Sequence, residues 1–229
     1  ILIALSFYFL FGFGINCTTH NIRPKAKIQN IDYLIEQGKL LWDQRLDSLA
    51  LEKAEHFINL SHKQRGNDFE LSVLYSQISF TRAYFFEKNN QKQDSLFLQG
   101  SHSCKKAVMA HEDFIPIYIL SKGDSTFKLL SAIADAPLSI VPGLYWWAVN
   151  LGMYLNNQPV LDRIKQRELL EVIMHRVISL DPGFNFSGPY RFFGFLYTRI
   201  PGIELSQSKT YFNQAITANP EYLGNKVLM

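Results

Sequence analysis

The run Leu144-Tyr145-Trp146-Trp147-Ala148-Val149-Asn150-Leu151-Gly152-Met153-Tyr154-Leu155 limits the fold more than any other stretch. Pro142 and Gly143 stand before it and Asn156-Asn157 after it, punctuation that predicts a helix of about three turns. Nearly every face is apolar, and Asn150 is the only strongly polar side chain. A helix apolar all round belongs in an interior. It is too short to span a bilayer, which takes ~20 residues. Other elements of the chain must therefore wrap around it.

Those elements read as helices, with no convincing strand. Apolar residues recur near a helical period over 28–42, at Ile28, Ile31, Leu34, Ile35, Leu41 and Trp42. Asp47 predicts an N-cap for 48–60, and Gly66-Asn67-Asp68 predicts a break. Helices are then expected over 69–88, 94–111 and 124–134, with a break at 112–116 and a rigid link at 136–142. Leu169, Leu170, Ile173, Val177 and Leu180 give 161–180 one apolar stripe, which Asp181-Pro182 ends. A loop is expected at 184–188, then helices over 189–200 and 206–218. Asn219-Pro220-Glu221 predicts the start of a last helix.

The amino-terminal end has a different character. Residues 1–13 are almost wholly apolar, Gly14-Ile15-Asn16-Cys17 follows, and the sequence is then polar through Gln29. An apolar core ending at small residues is the mark of a secretory signal. Stopping just before a cysteine, it resembles a bacterial lipoprotein signal, which implies acylation of Cys17. Gly14 and Asn16 stand where the usual box has an aliphatic and a small residue. A signal anchor or short membrane helix with an ordinary cysteine is a second reading, and a soluble protein with a buried first helix a third. The expected organisation is a lipoprotein-type signal segment over 1–16, incomplete at its start, and a polar tether over 17–27. A helical repeat domain over 28–229 follows, truncated in its last helix.

Composition excludes several functions. The net charge of +3 is spread without a basic stripe, which disfavours nucleic acid. Two cysteines, Cys17 and Cys104, make no disulfide framework. Glu171/His175 and Glu52/His56 are each one helical turn apart, but no third ligand accompanies either, so surface ion pairs explain them better than a metal. Cys104 has no companion motif for nucleophilic catalysis. No phosphate loop appears. The expectation is therefore a protein without catalytic residues, metal or cofactor. The aromatic density around Trp146 and around Phe193 is the one unusual constellation. Core packing explains it first, and the lining of a ligand cavity second. On the second reading the candidates are Trp146, Asn150, Met153, Tyr190, Phe193 and Tyr197. Asn150 is among them because a buried amide needs partners.

Internal repetition is strongest at the carboxy-terminal end. Gly194, Tyr197, Ser208, Phe212, Ala215 and Pro220 follow the spacing of a tetratricopeptide repeat. Trp147, Gly152, Leu155, Met174 and Pro182 fit it more loosely, and Gly38, Leu41 and Ala50 hint at an earlier unit. The expected fold is all-α, a tetratricopeptide-like array of antiparallel helical hairpins without a sheet. Three segments, 144–152, 179–184 and 194–201, together with 209–216 and Asn219-Pro220, make the chain resemble the T-component (TatT-like) lipoproteins of TRAP transporters. That resemblance implies a non-enzymatic accessory on the periplasmic face of the bacterial envelope, held by a lipid anchor. It would pair with the substrate-binding protein of a TRAP-type uptake system and hold a hydrophobic or organic-acid ligand in a helical cavity. Self-association is left open. The alternative is a generic tetratricopeptide scaffold that docks envelope proteins.

Overall fold

The computed structural model describes residues 23–227, with side chains from residue 30 onward. The expected signal segment, Cys17 and the first part of the tether lie outside the described residues. The end of the expected tether is helical, since α1 spans Arg23–Asp43. Pro24 falls in its first turn, where a missing N–H costs no helical bond. There are eleven α-helices and no strand among the described residues, as the periodicity predicts.

The first helices are set by side-chain caps. Asp47 accepts the N–H groups of Leu49 and Ala50 and starts α2, Ser48–Gln64. Asp68 caps α3, Phe69–Thr81, through Leu71 N–H. The α-helix expected to reach residue 88 stops at Thr81. A π-turn over Arg82–Phe86 follows, closed by Glu87 N–H on the carbonyl of Arg82. Asn89 then caps α4, Asn90–Met109, through Lys92 N–H. This places the start of α4 four residues before Asp94. The polar 90–93 stretch carries no apolar rhythm, so the cap decides the boundary.

The expected break at 112–116 contains the start of a short helix, α5, Ile115–Leu120, with Pro116 in its first turn. Asp124 caps α6, Ser125–Ala134. The rigid link tightens into one 3-10 turn over Leu138–Ile140 and leads into α7, Val141–Asn156. Helix α8 spans Val160–Leu180, α9 Phe184–Tyr197, α10 Leu205–Ala218 and α11 Leu223–Val227.

Helix α7 is the centre of the larger core. Leu144, Trp147, Ala148 and Leu155 are buried with Val108 of α4, Ile173 and Val177 of α8, and Phe193 of α9. Removing one such aliphatic side chain from water contributes ~1.5–3 kcal/mol. A second, smaller core joins α2 to α3 through Leu51, Ile58, Leu71 and Ile78. Short links make α1–α2, α3–α4 and α9–α10 packed neighbours. Among the described residues no single helix is both long and apolar enough to cross a membrane.

One segment departs from helical geometry. Asn185, Phe186 and Ser187 all have left-handed backbones, with φ of 49°, 58° and 58°. The loop expected at 184–188 is therefore a left-handed turn, and the regular helix follows it. The last helix begins at Leu223 rather than Pro220. Asn219 is diverted: its N–H bonds the carbonyl of Ala215, ending α10, and its Nδ2 donates to Ser187 Oγ at 2.6 Å.

Candidate functional site

The sequence-derived candidates fall into two groups on different helices. Trp146, Asn150 and Met153 belong to α7. Asn150 is fully buried. Its Nδ2 faces Ser76 Oγ at 2.9 Å, the Ser76 carbonyl at 3.2 Å and the Trp146 carbonyl at 3.0 Å. Two carbonyls at that end fix the amide nitrogen there, since an oxygen in the same place would face only acceptors. Oδ1 has no hydrogen-bond partner, and the face of the amide lies against Gly100 of α4, where a Cβ would meet Cγ, Oδ1 and Nδ2 at 2.9, 2.9 and 3.0 Å. Asn150 therefore joins α7 to α3 where Gly100 lets α4 pack against the amide. Trp146 is partly buried and meets Phe80 edge-on at 5.5 Å between ring centroids. Met153 is also partly buried.

Tyr190, Phe193 and Tyr197 belong to α9. Phe193 is fully buried, stacked at 4.8 Å on Tyr211 of α10 and 5.5 Å from Tyr197. Tyr190 lies 6.5 Å from the same Tyr211 ring. Tyr197 Oη donates to Glu171 Oε1 at 3.0 Å, and Arg167 Nε donates to that oxygen at 2.8 Å. Burial first, and then the Glu171 charge, push the Tyr197 phenol well above its ordinary range. The fold brings these three aromatics together around Tyr211, a residue the sequence reading did not select. No ring pair or hydrogen bond among the described residues joins this group to Trp146 or Asn150, although Trp146 packs against the same core as Phe193. Gly194, on the same helix, has no side chain where the Phe212 ring lies; a Cβ there would approach the ring to 2.8 Å. Ser208 Oγ closes the same crossing on the Gly194 carbonyl at 2.6 Å.

Two further features were not legible in sequence. Arg191 is buried, and its guanidinium donates to the carbonyls of Asn185 and Phe186, each at 3.2 Å. It also reaches Asn225 Oδ1 and Tyr145 Oη, and lies 4.9 Å above the Tyr222 ring. The left-handed turn thus aims two carbonyls at one buried cation. A left-handed residue costs ~1–2 kcal/mol, so the guanidinium bonds offset the strain of that turn. The second feature is a cavity of about 10 Å³ where α7 ends, α8 starts and α9 ends. Asn156 Oδ1 and Arg163 Nε are buried there without a protein partner.

Reactive groups are restrained. Cys104 is fully buried, and burial pushes its thiol up to about 12, so it stays protonated at neutral pH. No group of three or more metal-ligating side chains occurs among the described residues. By contrast, α5 is made of Ile-Pro-Ile-Tyr-Ile-Leu, yet none of its residues is fully buried. Ile119 and Leu120 stand out, 65% and 78% exposed, and Phe127 of the neighbouring α6 is 63% exposed.

Fold and site define an all-α protein of packed helix pairs, with aromatic interiors and exposed apolar side chains on its shortest helices. The family model of the TRAP transporter T-component matches residues 76–229, and the chain belongs to that family. Among curated proteins none matches. Membership gives the chain an accessory role in a TRAP-type transport system.

Proposed function

We propose that this protein works by pairing with the substrate-binding protein of its TRAP-type system at the periplasmic face of the envelope, held there by acylated Cys17. The family match over 76–229 is the observation that carries this reading. The surface supports it: Ile119, Leu120 and Phe127 present apolar area on adjacent helices, the kind of surface that marks a protein contact. The helix pairs are, in this reading, divergent tetratricopeptide repeats. Gly194 under Phe212, at the position the repeat pattern gives to a small residue, supports that assignment. An apolar or organic-acid ligand would meet the protein at the pairing surface and not at Asn150, whose amide hydrogens are committed to Ser76 and Trp146.

Co-expression with the system's substrate-binding protein tests the proposal. The two should co-purify through size exclusion, and Cys17→Ser should release the pair from the membrane fraction intact. Separate elution of the two proteins, with the ligand present and absent, would refute it.

A further inference from the structure

The α2–α3 junction carries a depression of about 490 Å³, lined by residues 62–67 and by Lys106 of α4. It is open to solvent and its lining is mostly polar, which suits a charged group better than an apolar ligand. No acid lines it. Arg65 is taken by Asp32 of α1 at 2.7 Å. Lys63 and Lys106 make no ion pair among the described residues. A Cβ on Gly66 would lie 3.6 Å from Lys106 Nζ, so that ammonium stands beside the bare loop backbone. The N–H groups of Gly66 and Asn67 donate to no backbone carbonyl among the described residues.

His62 is held from behind. Its ring stacks on Tyr75 with 4.6 Å between centroids. Its Nε2 lies 2.9 Å from Ser103 Oγ and 3.2 Å from Ser72 Oγ. Ser103 Oγ also lies 3.3 Å from the Ser72 carbonyl, so Nε2 and the two hydroxyls form one network behind the ring. These basic groups also complement the carboxy-terminal end of α2, but a helix end carries only about half a negative charge. Asp68, the nearby acid outside the lining, has its carboxylate on Leu71 N–H. The cations exceed what the fold needs.

We propose that this depression binds a phosphate group, held between Lys63, Lys106 and the free N–H groups of Gly66 and Asn67, with the His62 ring at its edge. Ammonium point charges suit a tetrahedral oxyanion, whereas a planar carboxylate pairs best with a free arginine fork, and Arg65 is occupied. Residues 62–67 precede the family-matched segment, so the site goes beyond the family reading. A soluble phosphate ester and a phospholipid headgroup share this chemistry.

Titration calorimetry of the full chain with inorganic phosphate tests the site, alongside NMR titration of the His62 ring. Burial first, then the Lys106 charge, hold His62 below its ordinary range, with Asp68 opposing. A bound phosphate dianion offsets Lys106, so phosphate should raise the His62 pKa. Binding should saturate and weaken on the order of tenfold in Lys63→Gln and in Lys106→Gln. Both lysines are exposed, and circular dichroism verifies that the variants fold. Succinate should bind far more weakly. Phosphatidylglycerol vesicles, compared with phosphatidylcholine, separate the sources: a vesicle preference lost in the Lys63→Gln/Lys106→Gln double variant, without phosphate binding, identifies a lipid headgroup. The proposal is overturned if neither phosphate nor phosphatidylglycerol binds, if binding survives the double variant, or if succinate equals phosphate.

Discussion

Gly100→Ala should destabilise this protein, against the ordinary effect of that change in a helix. In an exposed helix interior, alanine is favoured over glycine by ~0.8–1.0 kcal/mol. At Gly100 the new Cβ would lie 2.9 Å from Asn150 Cγ and Oδ1 and 3.0 Å from Nδ2. The amide cannot swing aside, because it is fully buried and its Nδ2 is bonded to Ser76 and to the Trp146 carbonyl. Either α4 moves away from α7, or Asn150 gives up its partners. Overpacking costs ~1–3 kcal/mol. Each lost hydrogen bond costs ~0.5–1.5 kcal/mol. After the propensity gain, the net loss is ~0–2 kcal/mol if α4 moves and ~0.5–3.5 kcal/mol if Asn150 gives up its three bonds. Urea unfolding followed by far-ultraviolet circular dichroism measures it. In an Asn150→Ala background the obstacle is gone, so the same substitution should become neutral or stabilise by up to ~1 kcal/mol. Stabilisation by Gly100→Ala in the wild-type background would refute the close packing of α4 on α7 through Asn150.

Further outcomes follow from other residues. Arg191→Met should cost ~2–4 kcal/mol in the same assay, because it strips the partners from the carbonyls of the left-handed turn and from Asn225. His62 has a folded-state pKa below its ordinary 6.5, so the unfolded chain binds more protons just below that pH. Stability should therefore fall as pH drops through 6.5, and thermal melts should show a smaller fall in Lys106→Gln. Mass spectrometry of the mature protein should find an acylated Cys17 with nothing upstream. Several acyl chains are expected, because one chain alone binds membranes only marginally.

Much of the fold was legible because local chemistry and tertiary packing agree. The all-apolar α7 is the core helix, and the α8 stripe is buried at Leu170, Ile173 and Val177. Asp47 and Asp124 cap the helices their positions predict. Boundaries failed where the two levels part. Pro116 reads as a breaker but sits in a first turn, where proline fits. Asn219-Pro220 has the form of a helix start, yet Ser187 captures the asparagine. Candidate-site residues were harder still. Asn150 was selected for its buried amide, but its partner Ser76 lies 74 positions away. Nothing in the helical period of α9 says that Arg191 turns inward, because Tyr145 and Asn225 lie 46 and 34 positions distant. His62 and Lys106 share a depression only through the packing of α2, α3 and α4.

Sedimentation velocity of the protein mixed with the substrate-binding protein of its TRAP-type system tests the central claim most directly. A single heavier species of fixed stoichiometry is predicted. Leu120→Asp should dissolve it while leaving the helical spectrum and unfolding midpoint unchanged, since Leu120 is 78% exposed. Two independent boundaries with wild-type protein, or a complex indifferent to charge at Leu120 and Ile119, would contradict pairing through this surface.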